Sequence, residues 1–443
     1  MVQKKQLEPA PTRRLSASAL DRISGSLDEG RIARLIERAN RDYLYWDKFK
    51  YLDMPTGVDA ADAWRFLALL RRLRRHTTPV VDLHGHQFWY SQTEEVCRHL
   101  HLIDQKSAGT IGTAFSAPSP DTKKRYLINQ VMEEAIASSQ IEGASTTTRV
   151  AKEMLRTGRA PRDHSERMIV NNYRTILRIK EHASEPLTPK LIKDLHRSMT
   201  EGTLPAEDLG RFRTDNDGVI VTDNYEILHE PPGADAIGTE IRKLCKYAND
   251  DGAPFEHPVV RAVVLHFWLA YVHPFVDGNG RTARALFYLH MLKNGYWLYE
   301  YLSISRAIKS KRAQYDRAYL YSENDDNDLT YFLVFNLKAV RQAIDELNGY
   351  MERKAGEDAR LRSQLRKDES LNYRQRAILS KALRDPDTTF TIESHGTSHD
   401  VAYATARQDL LDLAERGYLL AGRERRKFVF QAAEDLREKL SVL

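Results

Sequence analysis

Apolar positions along most of this chain recur three and four residues apart, the period of an amphipathic helix. The pattern begins near residue 29 with RIARLIERANRDYL. It returns in WRFLALLRRLRRH (64–76), whose basic face is expected to be solvated. VVDLHGHQFWYS (80–91) interrupts it with a short strand or hairpin. His84 and His86 there resemble metal-ligand spacing, but no Cys or acidic cluster completes a site. From Lys123 to about Asn348 helical spacing dominates again, through KRYLINQVMEEAIASSQIEG, SERMIVNNYRTILRIKEHA, TPKLIKDLHRSMTEG and GADAIGTEIRKLCKYAND. One segment inside it alternates instead. GVIVTDNYEILHEPPG (218–233) carries a Val/Ile run, a turn at Asp223-Asn224, a second short run and two prolines, which predicts a hairpin. The most apolar run, VVRAVVLHFWLAYVHPF (259–275), includes Arg261, His266 and His273 and falls short of a membrane span, so it predicts a buried helix.

Beyond residue 348 the character changes. MERKAGEDARLRSQLRKDES predicts a charged helical connector over 349–370. NYRQRAILSKAL predicts a helix, TTFTI a short strand, and SHDVAYATARQDLLDLAERGYL two helices. LLAGRERRKFVFQ predicts two strands joined by a basic turn, RERRK (423–427). That order predicts a small winged helix-turn-helix domain over 371–443. The fold class is therefore mainly α. A polar, proline-containing segment, 1–28, is expected to be disordered; 29–120 is a helical region, 121–348 a helical core with one hairpin, and the connector and winged domain follow.

The totals add limits. A chain of 443 residues allows two to four domains, and 42% apolar with 29% charged residues is a globular balance. A net charge of +5 permits an acidic partner without demanding one. Two cysteines far apart, Cys97 and Cys245, argue against a disulfide framework and lead to the expectation of a reducing cytoplasm. The opening residues lack the apolar core of a signal peptide, and no membrane association is expected.

Residues 273–284, HPFVDGNGRTAR, concentrate the chemistry at the end of the apolar helix. Gly278 and Gly280 let the backbone approach a ligand. The loop leads into a second helix, NGRTARALFYLHMLKNG, which ends near Asn294-Gly295, so free N–H groups at its start make an anion site. Arg281 and Arg284 lie three apart, and each can fork two donors onto phosphate oxygens. Asp277 offers a hard oxygen suited to Mg²⁺ bound together with phosphates. His273, at the mouth of the loop, is the one group able to take a proton near neutral pH. The set amounts to a polyphosphate cradle, a metal and a base.

This stretch resembles the Fic family signature, His-Pro-Phe-x-[Asp/Glu]-Gly-Asn-Gly-Arg-x-x-Arg, at every defined position, and the resemblance extends over about residues 120–340. It implies a Fic-type helical core and transfer of AMP from ATP, with Mg²⁺ or Mn²⁺, to a Ser, Thr or Tyr hydroxyl. The acceptor would be a target protein or the enzyme itself, and pyrophosphate would leave. Carried over, His273 is the base that deprotonates the hydroxyl and Asp277 the metal ligand. Asn279, with the backbone around Gly278 and Gly280, would hold the α-phosphate. Arg281 would bind the outer phosphates and Arg284 the γ-phosphate, with Thr282 and Ala283 completing the ATP-binding turn. Phe275 would be an anchor in the core. Val219, Ile220, Val221 and Thr222 match the first strand of a flap that covers the site and pairs with the target backbone. LHEPP matches the flap's proline-rich exit, and GRFR (210–213) is also family-like. Tyr315 sits where the family often has an aromatic near adenine, although a core tyrosine fits as well. NDDNDLTYF (324–332) resembles the acidic turn before the last core helix, its acids expected as caps and solvated groups. Homodimerisation is a family habit.

SSQIEG (138–143) resembles the family's inhibitory motif, [Ser/Thr]-x-x-x-Glu-[Gly/Asn], with Ser138, Glu142 and Gly143 in place. The resemblance implies that Glu142 pairs with Arg284, occupying donors meant for the γ-phosphate and repelling it. Three rival readings remain. Doc-like relatives phosphorylate their targets and carry a lysine at the second loop glycine; Gly280 favours nucleotidyl transfer. Relatives with the inhibitory glutamate also remove AMP from targets, an activity that Glu142 leaves open. The third reading is a DNA-binding regulator acting through the winged domain, whose basic turn suits backbone phosphates. The same shape serves domains that bind only protein, and regulation alone leaves the catalytic motif unexplained.

Overall fold

In the computed structural model the chain divides into two compact units, residues 1–109 with 130–344, and residues 110–129 with 345–443. The structure describes all residues except 1–2, 6, 12–14, 29, 108–119, 223–225, 250–253, 385–387, 425–426 and 442–443.

The first unit is built on a helical hairpin, Pro258–Val272 and Asn279–Lys293. Twelve of the fifteen residues in each helix are buried, so neither has a solvated face and both must lie at the centre. Amphipathic helices His164–Arg178, Pro189–Thr200 and Ala234–Asn249 pack around them. Their starts follow from local chemistry. Asp163 and Thr188 accept the backbone N–H groups of Glu166 and Leu191, and Pro189 takes the first helical position, where no N–H is needed.

The N-terminal region adds helices Arg31–Arg41, Ala60–Leu73 and Glu94–Ser107 and the hairpin Arg75–Val81 with Gln87–Ser91. His84 and His86 are exposed at the turn of that hairpin, where Asp82 accepts both their backbone N–H groups. Among the described residues no His/Cys/Asp/Glu cluster could hold a metal ion. The basic face of residues 64–76 is only partly solvated. Arg71 is buried, its guanidinium 3.8 Å from the Tyr43 ring centroid and bonded to Asn40, Leu44 and Tyr331. The segment 1–28 departs from the expectation of disorder. It carries a helix, Ala17–Asp28, that buries Ala19 and Ile23, and a two-residue strand, Gln3–Lys4.

The acidic turn 324–332 also differs from expectation. Asp325 and Asp328 are buried rather than solvated, accepting the hydroxyls of Tyr331 at 2.7 Å and Tyr43 at 2.6 Å, while Asp328 also caps Thr330. The helix after it runs unbroken from Thr330 to Lys367, so the expected connector is its second half, not a separate element.

In the second unit, helices Tyr373–Arg384, Ile392–His399 and Tyr403–Glu415 pack on a three-stranded sheet. Strand Lys427–Ala432 lies between Phe390–Thr391 and Leu419–Glu424, antiparallel to both. Its core includes Leu379, Leu410, Leu413 and Phe430. The element order agrees with the sequence pattern; Arg425 and Arg426 of the basic turn lie outside the described residues. Cys97 is exposed, Cys245 is buried, and both are free thiols. Among the described residues no helix is long and apolar enough to cross a membrane.

Candidate active site

The loop between the two central helices begins at His273, which adopts the left-handed conformation (φ 49°, ψ 58°) as it ends the first helix. Its Nδ1 lies 3.2 Å from the Ala270 carbonyl. A proton on Nδ1 donated there leaves the Nε2 lone pair free to accept another. Burial pulls His273 down to about 4, so the ring is neutral near pH 7 and its Nε2 lone pair is unprotonated.

Gly278 caps the second helix at φ 81°. A side chain at 278 would be strained by that conformation and would meet Thr200 at 2.9 Å. Asn279 bonds back onto its own loop. Its oxygen accepts the Phe275 N–H at 2.9 Å and its amide donates to the Phe275 carbonyl at 2.8 Å, so it staples the loop shut. Arg281 also points inward. It is fully buried, donates to the Met199 carbonyl at 3.1 Å, and reaches Asp277 at 3.2 Å. Thr282 donates to the Gly278 carbonyl and Ala283 is packed in the core. Three of the residues matched to ATP-binding positions, Asn279, Arg281 and Thr282, therefore hold the loop in shape. Asp277 keeps 45% side-chain exposure beside that loop.

Glu142 comes to the loop from the end of helix Pro120–Ile141. The helix closes with two bonds, Gly143 N–H to the Gln140 carbonyl and Ala144 N–H to the Ser139 carbonyl, with Gly143 at φ 95°. This Schellman turn leaves Glu142 as the capping residue. Its Oε1 accepts Arg284 Nη2 at 2.9 Å. The buried guanidinium also donates to the Ser138 hydroxyl at 2.9 Å and carbonyl at 3.0 Å. Burial pushes the Glu142 carboxyl up, but Arg284, then Arg281, outweigh it and the net shift is downward. The carboxylate lies over Gly280, where an added Cβ would come within 2.8 Å of Glu142 Cδ. A carboxylate therefore already fills the anion site at the helix start.

A cavity of about 110 Å³, open to solvent, joins Glu142, His273, Gly280 and Arg284 to Val221 and Tyr315. Tyr315 is buried, its hydroxyl 3.0 Å from His266 Nε2, so it belongs both to the core and to the cavity wall. The flap strands are shorter than expected: Val221–Thr222 pairs antiparallel with Glu226–His229, while Val219 and Ile220 precede the strand and Ile220 is exposed. Asp223 and Asn224, the expected turn, lie outside the described residues.

Sequence reading singled out Arg213 only within a family-like string and missed His196 and Arg312. Arg213 bonds the carbonyls of His273 at 2.8 Å and Pro232 at 2.5 Å, tying the hairpin's exit to the loop that begins at His273. His196 stacks on Phe275 with centroids 3.8 Å apart. Its Nδ1 accepts the Gly210 N–H at 3.1 Å, so the proton sits on Nε2, 2.8 Å from the Asp277 carbonyl. Burial holds this ring at about 4, neutral as the bonds require. Arg312 donates to the Ile141 carbonyl at 2.9 Å beside the glutamate. A histidine in TPKLIKDLHRSMTEG looks like any helical polar residue; nothing local signals its partners.

Residues 186–291 match the Fic/DOC family. The chain is 27% identical over 229 residues to protein adenylyltransferase fic-1 of Caenorhabditis elegans, covering 51% of this chain and 41% of that protein. It is 29% identical over 201 residues to protein adenylyltransferase Fic of Drosophila grimshawi, covering 45% and 40%. The chain thus spans about two fifths of the length of these relatives. In structure it is similar to a Fic family protein from Desulfovibrio desulfuricans G20, with a TM-score of 0.51 at 18% identity, covering 78% of this chain and 98% of that one. The signature, the loop and helix built on it, and the match over residues 186–291 agree: this chain carries a Fic/DOC domain over those residues.

Proposed function

We propose that the chain transfers AMP from ATP to a hydroxyl of a protein acceptor, and that Glu142 holds this activity low. The observation that carries the reading is the Glu142 carboxylate on Arg284 at the start of helix Asn279–Lys293, opposite the free Nε2 of His273. In the forward reaction the acceptor oxygen bonds to the α-phosphorus, the bond to the pyrophosphate oxygen breaks, and the acceptor proton passes to His273 Nε2. The N–H groups at the helix start and Arg284 face the developing phosphate charge. A lone, half-exposed carboxylate such as Asp277 fits a cation held mainly by phosphates and water, and Mg²⁺ there would screen phosphate charge. Phosphoryl transfer of the Doc kind is disfavoured because a lysine side chain at position 280 has no room beside Glu142.

The test uses wild type, Glu142→Gly and His273→Ala, each incubated with ATP and Mg²⁺ and read by intact mass. Glu142→Gly is expected to raise AMP incorporation at least about tenfold, the equivalent of ~1.4 kcal/mol of relieved competition. Adding His273→Ala to it is expected to lower the rate by about 10²–10⁴-fold, the range for a lost general base. A gain of phosphate in place of AMP would overturn the reading.

A further inference from the structure

The flap carries a third strand. Gln3–Lys4 pairs parallel with Glu226–His229, on the edge away from Val221–Thr222, giving a sheet in which the flap's second strand is central. Lys5 N–H donates to the Ile227 carbonyl at 2.9 Å, and its ammonium lies 3.2 Å from the Glu226 carboxylate. A few residues on, the segment is fastened to the N-terminal helices. Glu8 accepts Trp46 Nε1 at 3.2 Å and Lys50 Nζ at 2.5 Å, and its carbonyl accepts the Tyr45 hydroxyl at 3.0 Å. An extended peptide from the chain itself therefore lies on a flap edge and is held there by a side-chain clamp outside the flap.

An exposed strand edge offers unpaired N–H and C=O groups and accepts any extended backbone of the right register. Covering it with a long, well-packed strand would close it permanently. Here the cover is two residues long, and the Lys5–Glu226 pair is partly solvated, at 34% and 42% side-chain exposure. So short a strand, with a solvated ion pair beside it, can be exchanged for a competing backbone. The clamp at Glu8 keeps the displaced segment near and raises its effective concentration for return.

Pairing of a flap edge with the acceptor backbone is what the Fic resemblance implies; we propose that residues 3–5 occupy the outer edge of strand Glu226–His229 in cis, as a second brake separate from Glu142. This rests on the proposed transfer to a protein hydroxyl. The two brakes would act on different substrates: Glu142 on the outer phosphates, the strand on the acceptor backbone.

The test works in the Glu142→Gly background, comparing the full chain with a variant lacking residues 1–11 and with Glu8→Ala. Residues 1–11, MVQKKQLEPAP, contain no Ser, Thr or Tyr, so the deletion removes no hydroxyl acceptor. Hydrogen exchange at residues 226–229 is expected to speed up in both variants. AMP incorporation into the protein, read by intact mass, is expected to rise about fivefold on deletion, what one displaced backbone bond is worth. A synthetic peptide of residues 1–11 is expected to return it toward the starting rate, and a scrambled peptide is not. Unchanged exchange overturns the docking, and a rate equal or lower after deletion overturns the brake. If Glu142→Gly itself gains no AMP, the transfer reading fails, and exchange with and without the peptide still decides whether the edge accepts a strand.

Discussion

Gly280 has a helical conformation, so nothing in its backbone calls for glycine, and alanine at the second position of a helix would ordinarily stabilise by up to about 1 kcal/mol. Its reason is the Glu142 carboxylate lying against it. That predicts a coupling. Gly280→Ala is expected to destabilise the wild type by about 1–3 kcal/mol, because the partly buried carboxylate must move off the buried Arg284. In the Glu142→Gly background the same change is expected to be neutral or stabilising. Chemical denaturation of the four proteins measures the cycle, and equal effects in both backgrounds would remove the contact from the account. At this scale the sequence was informative where chemistry and spacing coincide: His273 at the loop mouth, and Glu142 with Arg284 through the six-residue inhibitory string. It did not show the partners that Asn279 and Arg281 have in the fold. Both can serve phosphate, and in the fold they also bond the Phe275 amide and carbonyl, the Met199 carbonyl and the Asp277 carboxylate; no sequence pattern announces a carbonyl.

The proposed brake also depends on a helix end. Gly143 at φ 95° lets helix Pro120–Ile141 stop in a Schellman turn and leaves Glu142 aimed at the loop. Gly143→Ala puts a Cβ into a conformation that costs about 1 kcal/mol. Part of that strain can be relieved by unwinding the turn, which withdraws the carboxylate. Gly143→Ala is therefore expected to raise AMP incorporation, by less than Glu142→Gly does, and to lower the melting temperature slightly. A lower melting temperature with no rise in rate would separate the turn from the brake. Elements were legible where periodicity is strong and local, as in the two central helices and the hairpin 218–233. Boundaries set by tertiary contacts were not. The helix Thr330–Lys367 runs through what composition marks as a connector, because charge does not interrupt helical propensity. The segment 1–28 has too little apolar surface to announce a fold, and its helix Ala17–Asp28 is held by burying Ala19 and Ile23 and by the bond from Arg22 to Asp62.

On the scale of the whole molecule, the first unit keeps an unusual number of imidazoles dry. Burial lowers His99 and His196 to about 4 and His266 and His290 to about 3, and all four are at most 6% exposed. Each is neutral in the fold and takes a proton near pH 6.5 once unfolded. Below pH 6.5 the unfolded chain therefore binds more protons than the native one, and each of these groups lowers stability by up to about 1.4 kcal/mol per pH unit until its folded value is reached. Burial also raises Asp328 to about 6, which acts in the opposite sense: its folded form gains a proton first, so it returns stability as pH falls from about 6 to its unfolded value. These four, joined by His273 at about 4, outweigh the one carboxyl and leave a net loss beginning near pH 6.5, well above the range in which ordinary carboxylates titrate. The urea midpoint of the first unit's transition, followed through an active-site probe, is expected to fall steadily from pH 7 to pH 5. Replacing His290 with Gln, which removes one of the four, should make that fall shallower by about one proton's worth of slope. A midpoint that held constant down to pH 5 would mean that these imidazoles reach water in the native state, and the dry interior assigned to the central helices would have to be given up.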